Sequence, residues 1–181
     1  MGTKTFASRS LGLLALGLAS GAAAQPAYTT WRTYAGGAHA AQYSALDQID
    51  KSNVAALEVA WSFPAGERSF VFNPIVVDDT MYVLARENEL VALNAATGEE
   101  LWAKPHDGAV SARGINYWQS ADGSDRRLLY LNAGFLTATN ARNGETIATF
   151  GDDGRVDLRD GLAREGWDAS EVRPLHTSNP G

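Results

Sequence analysis

No cysteine occurs among the 181 residues, and there are only three histidines and two methionines. Without cysteine there can be no disulfide, thiolate zinc site, iron–sulfur cluster, cysteine nucleophile or lipid held through sulfur. His39, His106 and His176 lie far apart and lack metal-ligand spacing, so each reads as a structural or exposed side chain. Positive charge is in deficit: 15 Lys and Arg stand against 21 Asp and Glu, for a net charge of −6. That balance excludes a nucleic-acid partner, because phosphate binding needs clustered Lys and Arg. No apolar run approaches the roughly twenty residues a membrane-spanning helix requires. A Ser-His-Asp constellation, a Walker loop and a dinucleotide fingerprint are missing as well. What is present is ordinary globular material, 45% apolar and 20% charged, with eighteen Gly and five Trp.

The first 24 residues read as a secretory signal peptide. Lys4 and Arg9 give a basic start, an apolar core runs from Leu11 to Ala19, and Ala22-Ala23-Ala24 offers small residues for cleavage. The expectation is export, with the bacterial periplasm as destination. Loss of this leader removes two positive charges and no negative ones, so residues 25–181 are more acidic still.

Residues 25–181 read as short strands and turns. Runs rich in β-branched and aromatic residues occur at 57–63, 70–72, 74–77, 80–84, 89–93, 115–118, 127–131 and 135–139. Asp78-Asp79, Glu87-Asn88, Thr97-Gly98, Asp122-Gly123, Ala133-Gly134 and Asn143-Gly144 punctuate them. Helical periodicity is weak, with at most one turn at Asn53 to Leu57. This spacing indicates an all-β sandwich, barrel or propeller. An internal repeat narrows the choice. The stretches Ala92-Leu-Asn-Ala-Ala-Thr-Gly-Glu99 and Ala138-Thr-Asn-Ala-Arg-Asn-Gly-Glu145 lie 46 residues apart. That period suits a four-stranded propeller blade, whose apolar faces only neighbouring blades can cover.

The segment from Ala92 to Trp102 resembles the tryptophan-docking motif of the pyrroloquinoline quinone (PQQ) dehydrogenases, with Asn94 in the Asp place. A glycine takes the turn, an amide caps it, and a Trp supplies a flat surface for the neighbouring blade. Trp61 is placed to dock in the same way, whereas Ala148 stands where the second copy would carry its Trp. Four further segments resemble the same family, in its order. They are residues 31–37 with 43–61, residues 72–83, Ser111-Ala-Arg-Gly-Ile-Asn-Tyr-Trp118, and residues 150–162, the last typical of its glucose-dehydrogenase-like branch. The resemblance implies an all-β fold, the first blades of an eight-bladed PQQ-dehydrogenase-type β-propeller. Eight blades need on the order of 500 residues at this repeat period. The chain is therefore expected to be the amino-terminal part of a longer one, unable alone to close the ring or hold cofactor tightly.

The resemblance assigns cofactor contact to Arg113, in the Arg-Gly-x-x-Tyr-Trp segment, and to Thr177 with its neighbour Ser178 near Pro180. PQQ carries three carboxylates and an ortho-quinone, oxygens that a guanidinium binds in a bidentate, charge-assisted way. The catalytic Asp base and the calcium ligands of the family are expected beyond residue 181. Departures from the family matter. No Cys-Cys pair precedes Arg113, Ala109 stands where many glucose dehydrogenases have His, and Val71 stands where methanol-oxidising members have a cofactor-binding Glu. A sugar, polyol or alcohol substrate stays open, with a quinone or cytochrome as electron acceptor. Asp152-Asp153-Gly154 with Asp157 has some flavour of a calcium loop but lacks the spacing of one, and reads as a capped turn. The alternative reading is a non-catalytic propeller of the same superfamily, serving as an envelope scaffold.

Overall fold

The computed structural model describes residues 29–37, 40–66, 72–160 and 173. The leader expected over 1–24 lies outside them, as do His39, His176, Thr177 and Ser178. Within them the chain folds into two four-stranded antiparallel sheets, each a simple meander in chain order. The first holds β1 (Ile75–Val77), β2 (Thr80–Ala85), β3 (Glu89–Asn94) and β4 (Glu100–Lys104). The second holds β5 (Asn116–Gln119), β6 (Arg126–Asn132), β7 (Phe135–Asn140) and β8 (Arg155–Asp157). Two single 3-10 turns, Tyr34–Gly36 and Val54–Ala56, precede them, the second where one helical turn was expected.

Strand side chains alternate between two faces, and in the first sheet both faces are covered. Tyr82, Leu90 and Ala92 point one way and join Val110, Ile115, Leu128, Tyr130 and Ala141 in a core between the sheets. Val83, Ala85, Val91 and Leu93 point the other way, onto Trp61, Phe63 and Ala65. This double burial explains why residues 89–93 are nearly continuous in apolar character rather than alternating.

The repeat in the sequence is a repeat in space. Asn94 and Asn140 end β3 and β7, and each side-chain oxygen accepts backbone N–H bonds from the turn that follows, Ala96 and Thr97 in one copy and Arg142 in the other. The turns close on Gly98 and Gly144, at φ +73° and +76°. Each glycine lies beneath an indole. A Cβ on Gly98 would meet the Trp61 ring at 2.6 Å, and one on Gly144 the Trp102 ring at 2.8 Å. The two indole N–H groups donate to the carbonyls of Ala95 and Ala141, at 3.1 and 3.2 Å. Trp61 therefore docks as expected, and Ala148 is exposed. Trp102 reaches its place through a bulge: Leu93 pairs with Glu100 and Ala92 with Trp102, leaving Leu101 as the extra residue.

Three differences from the sequence reading are physical. Residues 57–63 form no strand. They lie against the first sheet by Trp61 and Phe63, and among the described residues the backbone bond that ties this stretch to the sheet runs from the Arg86 N–H to the Ala65 carbonyl. A strand is defined by its ladder, and this segment offers the sheet a face rather than an edge. Phe72 is buried but also outside any strand, and residues 70–71 lie outside the described residues. β4 and β8, unannounced by the sequence, are edge strands with charged ends.

Candidate functional site

The site begins at the free edge of the second sheet. β5 pairs with β6 as far as Asn116 opposite Leu129. Upstream, β6 takes up a different partner: the Ser111 N–H donates to the Leu131 carbonyl at 2.8 Å, and Val110 bridges Asn132. Residues 112–115 thus stand opposite the single residue Tyr130, and the chain must loop out of the ladder between them. Such extrusions re-aim side chains and recur beside functional sites.

The loop is anchored from both sides. Ile115 is 1% exposed and fixes its far end in the core between the sheets. Gly114 is buried at φ +152°, a conformation that side chains rarely adopt, so the chain turns inward there without a Cβ. Arg113 stands at the exposed tip. Its carbonyl is held by the first sheet: the Asn73 backbone N–H and the Asn73 side-chain amide both donate to it, at 3.2 and 2.8 Å. Asn73 precedes Pro74 just before β1, and the proline ring favours an extended backbone at Asn73. Arg113 is therefore tied to the residue that leads into β1, while its own loop leads into β5. No acceptor engages its guanidinium among the described residues, and a guanidinium carries five N–H donors that suit an oxyanion.

Of the sequence-assigned cofactor residues, Arg113 has this geometry, while Thr177 and Ser178 lie outside the described residues. A planar cation on a backbone held from both sheets suits the oxygens of a carboxylate or other oxyanion. No group of three or more His, Cys, Asp or Glu among the described residues is placed to hold a metal ion. Asp152 and Arg155 exchange backbone bonds at 2.8 and 3.2 Å around Asp153-Gly154, both at positive φ, so the segment with a calcium-loop flavour is a tight hairpin turn.

His106 is occupied structurally. Its Nδ1 lies 3.0 Å from the Asn88 carbonyl and its Nε2 2.8 Å from the Tyr130 hydroxyl, which lies 2.7 Å from Thr139 Oγ1. A carbonyl can only accept, so the neutral ring carries its proton on Nδ1 and accepts at Nε2 from Tyr130; Thr139 then donates to Tyr130. Burial is the main cause lowering the His106 pKa, and burial pushes that of Tyr130 up to about 12. The sequence reading missed Asn73. Its signal was present only as an Asn before Pro, and its partner is forty residues away.

The family described as glucose/ethanol/alcohol dehydrogenase, β-propeller domain (PQQ) matches residues 31–180. The quinoprotein glucose dehydrogenase of Escherichia coli strain K12 is 31% identical over 158 residues, covering 73% of this chain and 20% of that protein. The quinoprotein ethanol dehydrogenase of Pseudomonas aeruginosa is 40% identical over 76 residues, covering 40% of this chain and 12% of that protein. Among solved structures, the quinohemoprotein alcohol dehydrogenase from Comamonas testosteroni matches with a TM-score of 0.58 at 26% identity, covering 74% of this chain and 20% of that one. The chain thus spans about a fifth of the length of the glucose dehydrogenase it matches.

Proposed function

Because the chain belongs to the PQQ dehydrogenase β-propeller family, we propose that it supplies the first two blades of a PQQ-dependent dehydrogenase acting on the CH–OH group of a sugar, polyol or alcohol. The carrying observation is Arg113, exposed on a loop extruded from the edge of the second blade, its guanidinium without an acceptor among the described residues. In this reading the guanidinium donates charge-assisted hydrogen bonds to carboxylate or quinone oxygens of the cofactor and fixes its orientation. Thr177 and Ser178 add hydroxyl donors. Bound PQQ supplies a two-electron acceptor for the hydride of the substrate. The catalytic base and the calcium ligands belong to other parts of the propeller. Export to the periplasm and a respiratory quinone or cytochrome as electron acceptor complete the proposal; the basic-then-apolar character of residues 1–24 supports the export.

The test is reconstitution of the purified full-length apoprotein with PQQ and calcium, followed by dye reduction with sugars and alcohols. PQQ-dependent turnover that collapses in Arg113→Ala is expected. No turnover with any CH–OH substrate would favour the scaffold reading, and turnover unchanged in Arg113→Ala would remove the assignment of that residue.

A further inference from the structure

We propose that Asn73 is a positioning residue for Arg113, through which the first blade sets the aim of a side chain belonging to the second. This rests on the reading of Arg113 as a cofactor ligand.

Arg113 sits on a loop that has left its own ladder, so the second blade holds its flanks and not its tip. The tip carbonyl is the acceptor for two donors of one residue, the backbone N–H and the side-chain amide of Asn73. Two bonds converging on one oxygen restrain the peptide plane after Arg113 in direction as well as in distance. Gly114, immediately following, is the permissive joint where that plane would otherwise swing. A guanidinium at the end of a flexible stem binds oxyanions well only if its backbone origin is fixed beforehand, because ordering it on binding costs conformational entropy. Asn73 is itself fixed from behind: Pro74 restricts its backbone and Phe72 is buried between the sheets. The chain of restraint runs from the core between the blades, through Asn73 and the Arg113 carbonyl, to the guanidinium.

The test uses the full-length protein in its apo and PQQ-bound forms. Asn73→Ala removes the side-chain donor and leaves the backbone one; Asn73→Asp keeps the shape and turns the donor into a repelling oxygen. Both are compared with Arg113→Ala and with the double variants. In apoprotein, hydrogen exchange at the amides of residues 112–115 is expected to rise in both Asn73 variants, while the amides of β2 and β3 stay as protected as before. In equilibrium titrations followed by cofactor absorbance, Asn73→Ala is expected to weaken PQQ binding about three- to tenfold, the worth of one hydrogen bond. In the Arg113→Ala background the same substitution is expected to change nothing, because its route to the cofactor is gone. Full additivity of the two substitutions, or unchanged PQQ affinity in both Asn73 variants, overturns the inference while leaving Arg113 as a ligand. Unchanged affinity in Arg113→Ala overturns the reading beneath it, and the inference with it. Should Asn73→Ala fail to fold, Asn73→Asp carries the comparison.

Discussion

Gly144→Ala puts a number on the docking between blades. Alanine in left-handed backbone costs about 1–2 kcal/mol wherever it occurs. Gly123 measures that cost alone, since it has φ +68° and a Cβ built there would meet nothing within 4 Å. At Gly144 the same methyl group would lie 2.8 Å from Trp102 Cε3 and 3.0 Å from Cδ2, closer than real contacts allow. The indole must retreat. Overpacking of this kind costs about 1–3 kcal/mol, and loss of the bond from the indole N–H to the Ala141 carbonyl adds about 1 kcal/mol. Gly144→Ala is therefore expected to destabilise by at least about 2 kcal/mol more than Gly123→Ala, in urea unfolding followed by circular dichroism. In a Trp102→Ala background the site opens, and Gly144→Ala should fall to the cost of Gly123→Ala. Equal costs in the parent protein, or a Gly144→Ala cost undiminished without the indole, would refute the docking account.

Other outcomes follow from the same geometry. His106 is held neutral, with its pKa lowered by burial, so the folded state binds fewer protons than the unfolded one. Stability is then complete above the ordinary histidine value of about 6.5 and falls as the pH drops below it toward the lower folded value. His106→Phe should flatten that part of the stability–pH profile. Asn94→Ala removes the acceptor of the Ala96 and Thr97 N–H groups and should cost about 1 kcal/mol. Asn94→Asp keeps the acceptor and should stay within about 0.5 kcal/mol of the parent. Tyr82→Phe removes a buried hydroxyl that donates at 2.9 Å to the Ala141 carbonyl, which the Trp102 indole still serves, and should cost about 1 kcal/mol. Combined with Trp102→Phe it leaves that carbonyl without a donor, so the pair should cost more than the sum of the singles in denaturant titrations.

The parts of the fold legible in the sequence were those whose signal is local. Val83 to Ala85 and Leu90 to Leu93 are apolar enough to announce strands, and Asn94 with Gly98 announces its own turn. The glycines that admit Trp61 and Trp102 could be read because the docking motif repeats. β4 stayed hidden because Glu100 and Lys104 bound it and Leu101 bulges out to 50% exposure, which breaks the alternation. β8 stayed hidden because three residues, two of them charged, carry no periodicity; the Asp153-Gly154 turn and the edge of β7 hold it in place. Residues 57–63 misled for the opposite reason: of their alternating apolar residues, Trp61 and Phe63 pack on a neighbouring sheet without pairing, and Leu57 and Val59 are exposed. At the site, Arg113 was visible through its segment. The extruded loop was not, because it exists only as a mismatch of register between residues 111 and 116 and the ladder of β6. Asn73 was invisible because its role is a contact between two sheets.

Where the Arg113 guanidinium points when PQQ is bound decides whether it is a cofactor ligand. A crystal structure of the full-length protein with the cofactor measures it. The expected result is at least one guanidinium N–H within about 3.2 Å of a cofactor carboxylate or quinone oxygen, with the Arg113 carbonyl still bonded to Asn73. A bound cofactor with Arg113 turned away from it into solvent would contradict the assignment.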